Sequence, residues 1–232
     1  MKVALITGAS RGFGLALATE LARRGWRLVI DARHANDLVA ARDQIGGPQT
    51  IALAGDTTDP AHRDLLAAAV TRLGGLDLLV NNASELGPSP LPPLAAHPLD
   101  ELEHLYRVNV VAPLALVQLL LPQLAPSDGA VINVSSDAAV EAYEGWGGYG
   151  SSKAALDQIT AVLAAENADV RFWSFDPGDM RTAMHQRAYP GEDISDRPGP
   201  ESVVPALLRL LDERPESGRY RAADLLAPVT AA

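Results

Sequence analysis

A chain of 232 residues can bury one sizeable core and is short for two, and its 47% hydrophobic and 21% charged content is that of an ordinary globule. Nineteen basic against twenty-nine acidic residues give a formal charge of −10, and no lysine- or arginine-rich run offsets it, which argues against nucleic acid or an anionic membrane as partner. The lack of cysteine excludes disulfides, thiolate nucleophiles and thiolate metal sites and suits a cytoplasmic protein that holds no metal.

The opening MKVALITGAS carries one lysine and a very short apolar run, so it reads as folded chain rather than a targeting peptide. It contains the first strand candidate, VALIT at 3–7, followed by helical LALATELARR. Strands RLVID at 27–31 and TIALA at 50–54 come next, then helical DPAHRDLLAAAVTRL, strand LDLLV at 76–80 and helical LDELEHLYRV. The apolar run VVAPLALVQLLL at 110–121 is too short to span a bilayer and reads as a buried helix whose second face meets another subunit. Strands AVINVS at 130–135 and VRFWSF at 170–175 and the helix ESVVPALLRLLDE follow, with YRAADLLAP as a candidate seventh strand. Strands alternating with helices predict right-handed βαβ units, a parallel sheet and a single α/β domain over residues 1–232. Two stretches, 84–98 and 178–200, are too long for tight turns and read either as flaps beside a site or as surface excursions.

The segment TGASRGFG, residues 7–14, lies between the first strand and the first helix. Gly8, Gly12 and Gly14 there allow a tight turn, close approach of backbone to a pyrophosphate and packing of helix on strand, and the helix N-terminus adds N–H donors. Further on, YGSSK at 149–153 puts a phenol and an ammonium four residues apart, on one face of a helix. That spacing permits a shared site and equally permits an ordinary surface helix.

The spacing G-x-x-x-G-x-G, NNAS at 81–84, Asn109, NVSS at 133–136, YGSSK at 149–153 and PGDMRT at 177–182 together resemble the short-chain dehydrogenase/reductase family, in its order, from the first strand to about residue 182. Ser136 stands thirteen residues before Tyr149, as in that family's active-site pattern. The resemblance implies a doubly wound, NAD(P)-binding Rossmann sheet of about seven strands with helices on both faces, an alcohol or carbonyl substrate, and a homodimer or homotetramer.

Residue by residue, the resemblance makes Tyr149 the general acid/base and Lys153 the group that lowers its pKa and holds the nicotinamide ribose. It makes Ser136 the polariser of the substrate oxygen and Asn109 the organiser of a water linking Lys153 to solvent. Cofactor contacts fall on Gly8, Ser10, Arg11, Gly12, Phe13, Gly14, Arg33, Thr57, Asn82, Ala83, Tyr149, Lys153, Pro177, Gly178 and Thr182. Asp56 reads as an adenine contact or as a helix cap. NADPH is preferred over NADH because the family's acidic position falls on Ala32 with Arg33 next, while Asp31, one residue early, would reverse the preference if the register shifted.

Departures are Ser84 in place of a usual glycine, which leaves cofactor binding intact but alters the loop beyond, and FWSFDPG around Asp176, which faces the site or caps a turn. Glu85, Ala138, Tyr143, Trp146, Met184 and His185 are pocket-lining candidates for an apolar or aromatic carbonyl compound, with Arg181 and Arg187 at the mouth. The other class of function is a catalytically silent dinucleotide-binding regulator, and a sugar epimerase conflicts with the glycine spacing.

Overall fold

The computed structural model describes residues 1–46 and 49–227. Seven parallel strands form one sheet in the order β3-β2-β1-β4-β5-β6-β7, with β1 Val3–Ile6, β2 Arg27–Ala32, β3 Thr50–Ala54, β4 Leu78–Asn81, β5 Ala130–Val134, β6 Arg171–Asp176 and β7 Gly218–Arg221. The central strands β1, β4 and β5 are buried along their whole length, as apolar runs covered on both faces require. Asn81 and Asn133 pair across β4 and β5 and join side chains at 2.8 Å, and Asn133 donates to Thr160 at 2.8 Å, so the polar ends of these strands are tied to the helix above.

Helices α1 (Gly12–Arg23), α2 (Ala35–Ile45) and α8 (Val204–Glu213) cover one face, where Leu17, Leu21, Leu38 and Leu207 pack on Ile6, Ile30 and Trp173. On the other face Leu66 and Val70 of α3 (Pro60–Arg72) and Leu116, Val117 and Leu120 of α5 (Ala112–Leu124) pack on Leu5, Val29 and Val131. The helices α4 (Leu99–Tyr106) and α6 (Gly147–Glu166), the short α7 (Ala183–Ala188) and α9 (Ala222–Leu226) complete the α-helices of the described residues.

Three expectations need correction. The continuous helical stretch Leu99–Ser127 is 29 residues long and by length and composition alone could cross a membrane, longer than the apolar run inside it suggested; half of its most apolar window is buried, and α5 serves as a core helix. The tail does give a seventh strand, but over Gly218–Arg221; AADLL turns into α9, and Pro228 lies outside the described residues. Asp56 does not cap α3: that role falls to Asp59, whose carboxylate accepts from the Ala61 amide at 2.9 Å.

Strand order reverses at β1, whose neighbours are β2 and β4, and in open α/β sheets a ligand crevice opens at the carboxyl ends of strands at such a point.

Candidate active site

A cleft of about 670 Å³ opens at that end of the sheet. Its near wall is the glycine turn. Gly8 has φ +65°, a region costly for other residues, and a Cβ there would lie 2.9 Å from the Ala83 Cα, so only glycine lets the turn approach the NNAS loop. Asn82 fixes that approach by donating to the carbonyls of Thr7 at 2.8 Å and Gly8 at 3.1 Å. No side chain caps the N-terminus of α1, so its first N–H groups remain available at the cleft, beside Arg11. This donor set fits a pyrophosphate.

Ser10, Arg11, Gly12, Phe13, Arg33, Thr57, Asn82, Ala83, Pro177, Gly178 and Thr182 all line the cleft together with Ser136, Tyr149 and Lys153. Gly14 and Asp56 do not. Gly14 is a packing glycine, since a Cβ there would run into Asn82 and the Gly8 carbonyl. Asp56 spends its carboxylate on the amide and hydroxyl of Thr58, both at 2.8 Å, while its neighbours Gly55 and Thr57 face the cleft.

Asp31 resolves the register of β2. Its carboxylate is 1% exposed, accepts from the Gly8 amide at 2.8 Å and meets Nε2 of the buried His62 at 3.1 Å. Burial pushes its pKa up, against the His62 and Gly8 hydrogen bonds, so the residue braces the glycine turn from beneath. Arg33 lies at the surface and pairs with Glu85 at 2.6 Å. Glu85 is also 3.6 Å from Arg187 on α7, so one carboxylate links the second strand's end to the flap.

The sequence YGSSK is explained by its neighbours. A Cβ at Gly150 would run into the carbonyl oxygen of Ala138, and the fully buried Ser152 is satisfied by accepting from Asn109 at 3.0 Å. The helix can therefore press Tyr149 and Lys153 into the cleft. Lys153 is 2% exposed; its ammonium donates to the Val134 carbonyl at 2.7 Å and lies 5.6 Å from the Tyr149 ring centroid. Burial lowers its pKa to about 8, partly opposed by Asp157.

One expected role does not match this geometry. Tyr149 has a raised pKa, not a lowered one: burial dominates, the Asp176 and Asp137 carboxylates add to it, and hydrogen bonds with Ser84 and Ser136 oppose it. The ammonium of Lys153 is turned to a carbonyl rather than to the phenol oxygen, so it does not offset that burial. Asn109, brought inward by a π-helical turn over Arg107–Val111, has every place on its carboxamide filled. Its Oδ1 accepts from the Ser84 hydroxyl at 3.1 Å and the Glu85 amide at 2.8 Å, and its Nδ2 donates to the Glu85 carbonyl at 2.9 Å and to Ser152. Its side chain is a clamp between the NNAS loop and α6.

Ser136 donates to Asp137 at 2.9 Å, and Asp137 also accepts from Tyr143 at 3.1 Å. Sequence reasoning missed Asp137 and also Arg219, which projects from β7 to bond Asp157 at 3.1 Å, the Ser136 carbonyl at 2.9 Å and Asp176 at 2.9 Å. Asp176 in turn accepts from the Gly178 amide at 3.0 Å, so it both faces the cleft and fixes the turn. A lone arginine on an edge strand gave no sequence signal for this.

Beyond Tyr149 the cleft is aromatic. Trp146 packs edge-on to Tyr149 at 5.8 Å and tilted to Tyr189 at 6.2 Å, and Tyr189 lies 5.0 Å from His185. Glu85, Tyr143, Trp146, Met184 and His185 line it as expected, with Arg181 and Arg187, whereas Ala138 lies behind Tyr149 in a small core with Leu86. Tyr189 was missed because it lies in a loop without periodicity.

The model of the short chain dehydrogenase family matches residues 2–193. Mouse sepiapterin reductase is 36% identical over 201 residues, covering 80% of this chain and 77% of that protein. Benzil reductase of Saccharomyces cerevisiae is 32% identical over 236 residues, covering 98% and 86%. The crystal structure of a short chain dehydrogenase from Escherichia coli complexed with NADPH superposes with a TM-score of 0.87 at 30% identity, covering 95% of this chain and 96% of that one.

Proposed function

We propose that this chain, which belongs to the short-chain dehydrogenase/reductase family of oxidoreductases, exchanges a hydride between NADP(H) and a carbonyl or alcohol substrate, with Tyr149 as the proton donor and acceptor. The observation that carries this reading is that one cleft gathers the Ser136 and Tyr149 hydroxyls, the Lys153 ammonium and an uncapped glycine turn. When bound, the nicotinamide supplies the hydride. The residues of the chain do the rest. The glycine turn and Arg11 bind the pyrophosphate, Lys153 holds the ribose, and Pro177, Gly178 and Thr182 bear on the nicotinamide. Ser136 turns its hydroxyl from Asp137 to the substrate oxygen, and Tyr149 gives that oxygen a proton. A phenol whose pKa burial has raised stays protonated at neutral pH, which suits it to carbonyl reduction.

The wall of Trp146, Tyr149 and Tyr189 favours a substrate whose carbonyl is flanked by flat rings. Relatives named for the reduction of benzil and sepiapterin support this class. Purified protein is expected to consume NADPH with aryl ketones and diketones, benzil among them, faster than with sugars or aliphatic aldehydes. A panel of such compounds that gives no turnover overturns the reading. A silent regulator finds no observation in its favour. Residues 1–232 act as one domain, and the cysteine-free chain, which has no disulfide to form, accords with the cytoplasm.

The active form is a homodimer or homotetramer assembled through the helical stretch near 100–123 and α6. Leu119 on α5 and Val162 on α6 are 37% and 43% exposed, and Val111, on the π-helical turn just before α5, is 56% exposed. A shared interface would cover them. Light scattering at micromolar concentration is expected to give at least twice the 24.4 kDa chain mass, and a monomer there contradicts the assignment.

A further inference from the structure

We propose that Arg219 is a positioning residue for the reaction, an arginine on the last strand that fixes the direction in which Ser136 presents its hydroxyl to the substrate oxygen. This rests on the reading of Ser136 as the group that polarises that oxygen. Arg219 does not line the cleft, so it acts through the backbone of a residue that does.

Its placement follows from strand alternation, in which successive side chains point to opposite faces. Tyr220 packs on the cluster that α1 and α8 cover, so Arg219 turns to the other face, where α6 lies. There its Nε donates to Asp157 at 3.1 Å, one helical turn beyond Lys153. Its Nη2 donates to the Ser136 carbonyl and to Asp176 Oδ2, both at 2.9 Å. The helix α6, the turn after β5 and the end of β6 thus meet on one planar group. A guanidinium holds its donors in a fixed fork and sets the angles between such partners, which a lone ammonium does not.

Ser136 needs an anchor from outside its own turn. The ladder between β5 and β6 ends one residue earlier, where the Ser135 amide donates to the Phe175 carbonyl at 2.8 Å. Beyond it the Ser136 carbonyl accepts from the Ala139 amide at 3.1 Å, a contact that closes the short turn on itself. The Arg219 contact ties that peptide to another strand, and a fixed carbonyl fixes the Cα–Cβ bond that carries the hydroxyl. The neighbouring turn at Pro177 and Gly178 has its own hold, because Asp176 takes the Gly178 amide on Oδ1 at 3.0 Å and leaves Oδ2 to Arg219.

The test is a double-mutant cycle on kcat for carbonyl reduction at saturating NADPH, with the best carbonyl of the panel. Arg219→Lys keeps a cation beside Asp157 and the buried Asp176 and loses the fork. It is expected to lower kcat by about 10-fold to 100-fold, as displacing a reacting group by about 1 Å does, with NADPH affinity unchanged. In a Ser136→Ala enzyme, where the hydroxyl is gone, the same replacement is expected to cost less than about twofold, since residues that act as a unit are not additive. Arg219→Ala, which removes the cation too, is expected to lose at least as much as Arg219→Lys. Either Arg219 variant at the wild-type rate overturns the inference, as does an equal loss from Arg219→Lys in both backgrounds, the pattern of a merely structural residue. A Ser136→Ala enzyme at the wild-type rate overturns instead the reading on which the inference rests.

Discussion

Tyr149→Phe is expected to lower kcat/KM by about 10² to 10⁴, the usual contribution of a positioned general acid or base, with NADPH affinity close to that of wild type. The substitution removes one oxygen and leaves the ring against Trp146, where it packs edge-on at 5.8 Å. No phosphate or ribose contact is assigned to that oxygen alone, so the loss should fall on the chemical step. Lys153→Ala is expected to differ in kind, weakening cofactor binding as well as rate, because its ammonium sits on the cleft floor against the Val134 carbonyl, where the ribose is assigned to lie. Steady-state kinetics and NADPH fluorescence titration on both variants check the pair. Activity of Tyr149→Phe within about threefold of wild type, well short of the loss a general acid commands, overturns the role given to it.

What was legible in the sequence is what local pattern encodes. Six strands and the principal helices follow from runs and periodicities that neighbouring residues settle among themselves, and the glycine turn is readable because its context, strand before and helix after, is also local. The constellation Ser136, Tyr149 and Lys153 was legible through resemblance, and the structure brings the three to one cleft. The unreadable parts depend on contacts between distant segments. Asp56 and Asp59 are equally good caps on paper, and only the start of α3 separates them. Asn109 reads as the organiser of a water, and its carboxamide partners, from residues 84, 85 and 152, could not be read from its neighbours in sequence. Arg219 acts across 83 residues of sequence on the Ser136 carbonyl. Asp31 did leave a signal: an acid inside an apolar strand needs a buried partner, and His62 on the inner face of α3 supplies it.

That pairing bears on the cofactor, for which kcat/KM is expected to favour NADPH over NADH by about 30-fold to 1000-fold, as charge-assisted hydrogen bonds from two arginines to a 2′-phosphate would give. An acid at the end of β2 would normally speak for NADH, by binding the ribose 2′-hydroxyl. Here Asp31 is committed twice over, to the Gly8 amide at 2.8 Å and to His62 at 3.1 Å, and is buried beneath the turn. Arg33, two residues on, emerges at the cleft that Arg11 also lines, and a guanidinium pairs its planar fork with phosphate oxygens. Glu85 works against the preference, since its carboxylate holds Arg33 at 2.6 Å and must be given up when a phosphate arrives. Arg33 is half exposed, so that pair is weak and its loss costs about 1 kcal/mol or less. The lower part of the range is therefore expected for wild type, and Glu85→Gln should raise the preference. Arg33→Ala is expected to remove most of it by reducing kcat/KM for NADPH while leaving NADH nearly unaffected. Equal values for the two cofactors in wild type, or an Arg33→Ala enzyme that still prefers NADPH, would mean that the phosphate is read elsewhere or not at all.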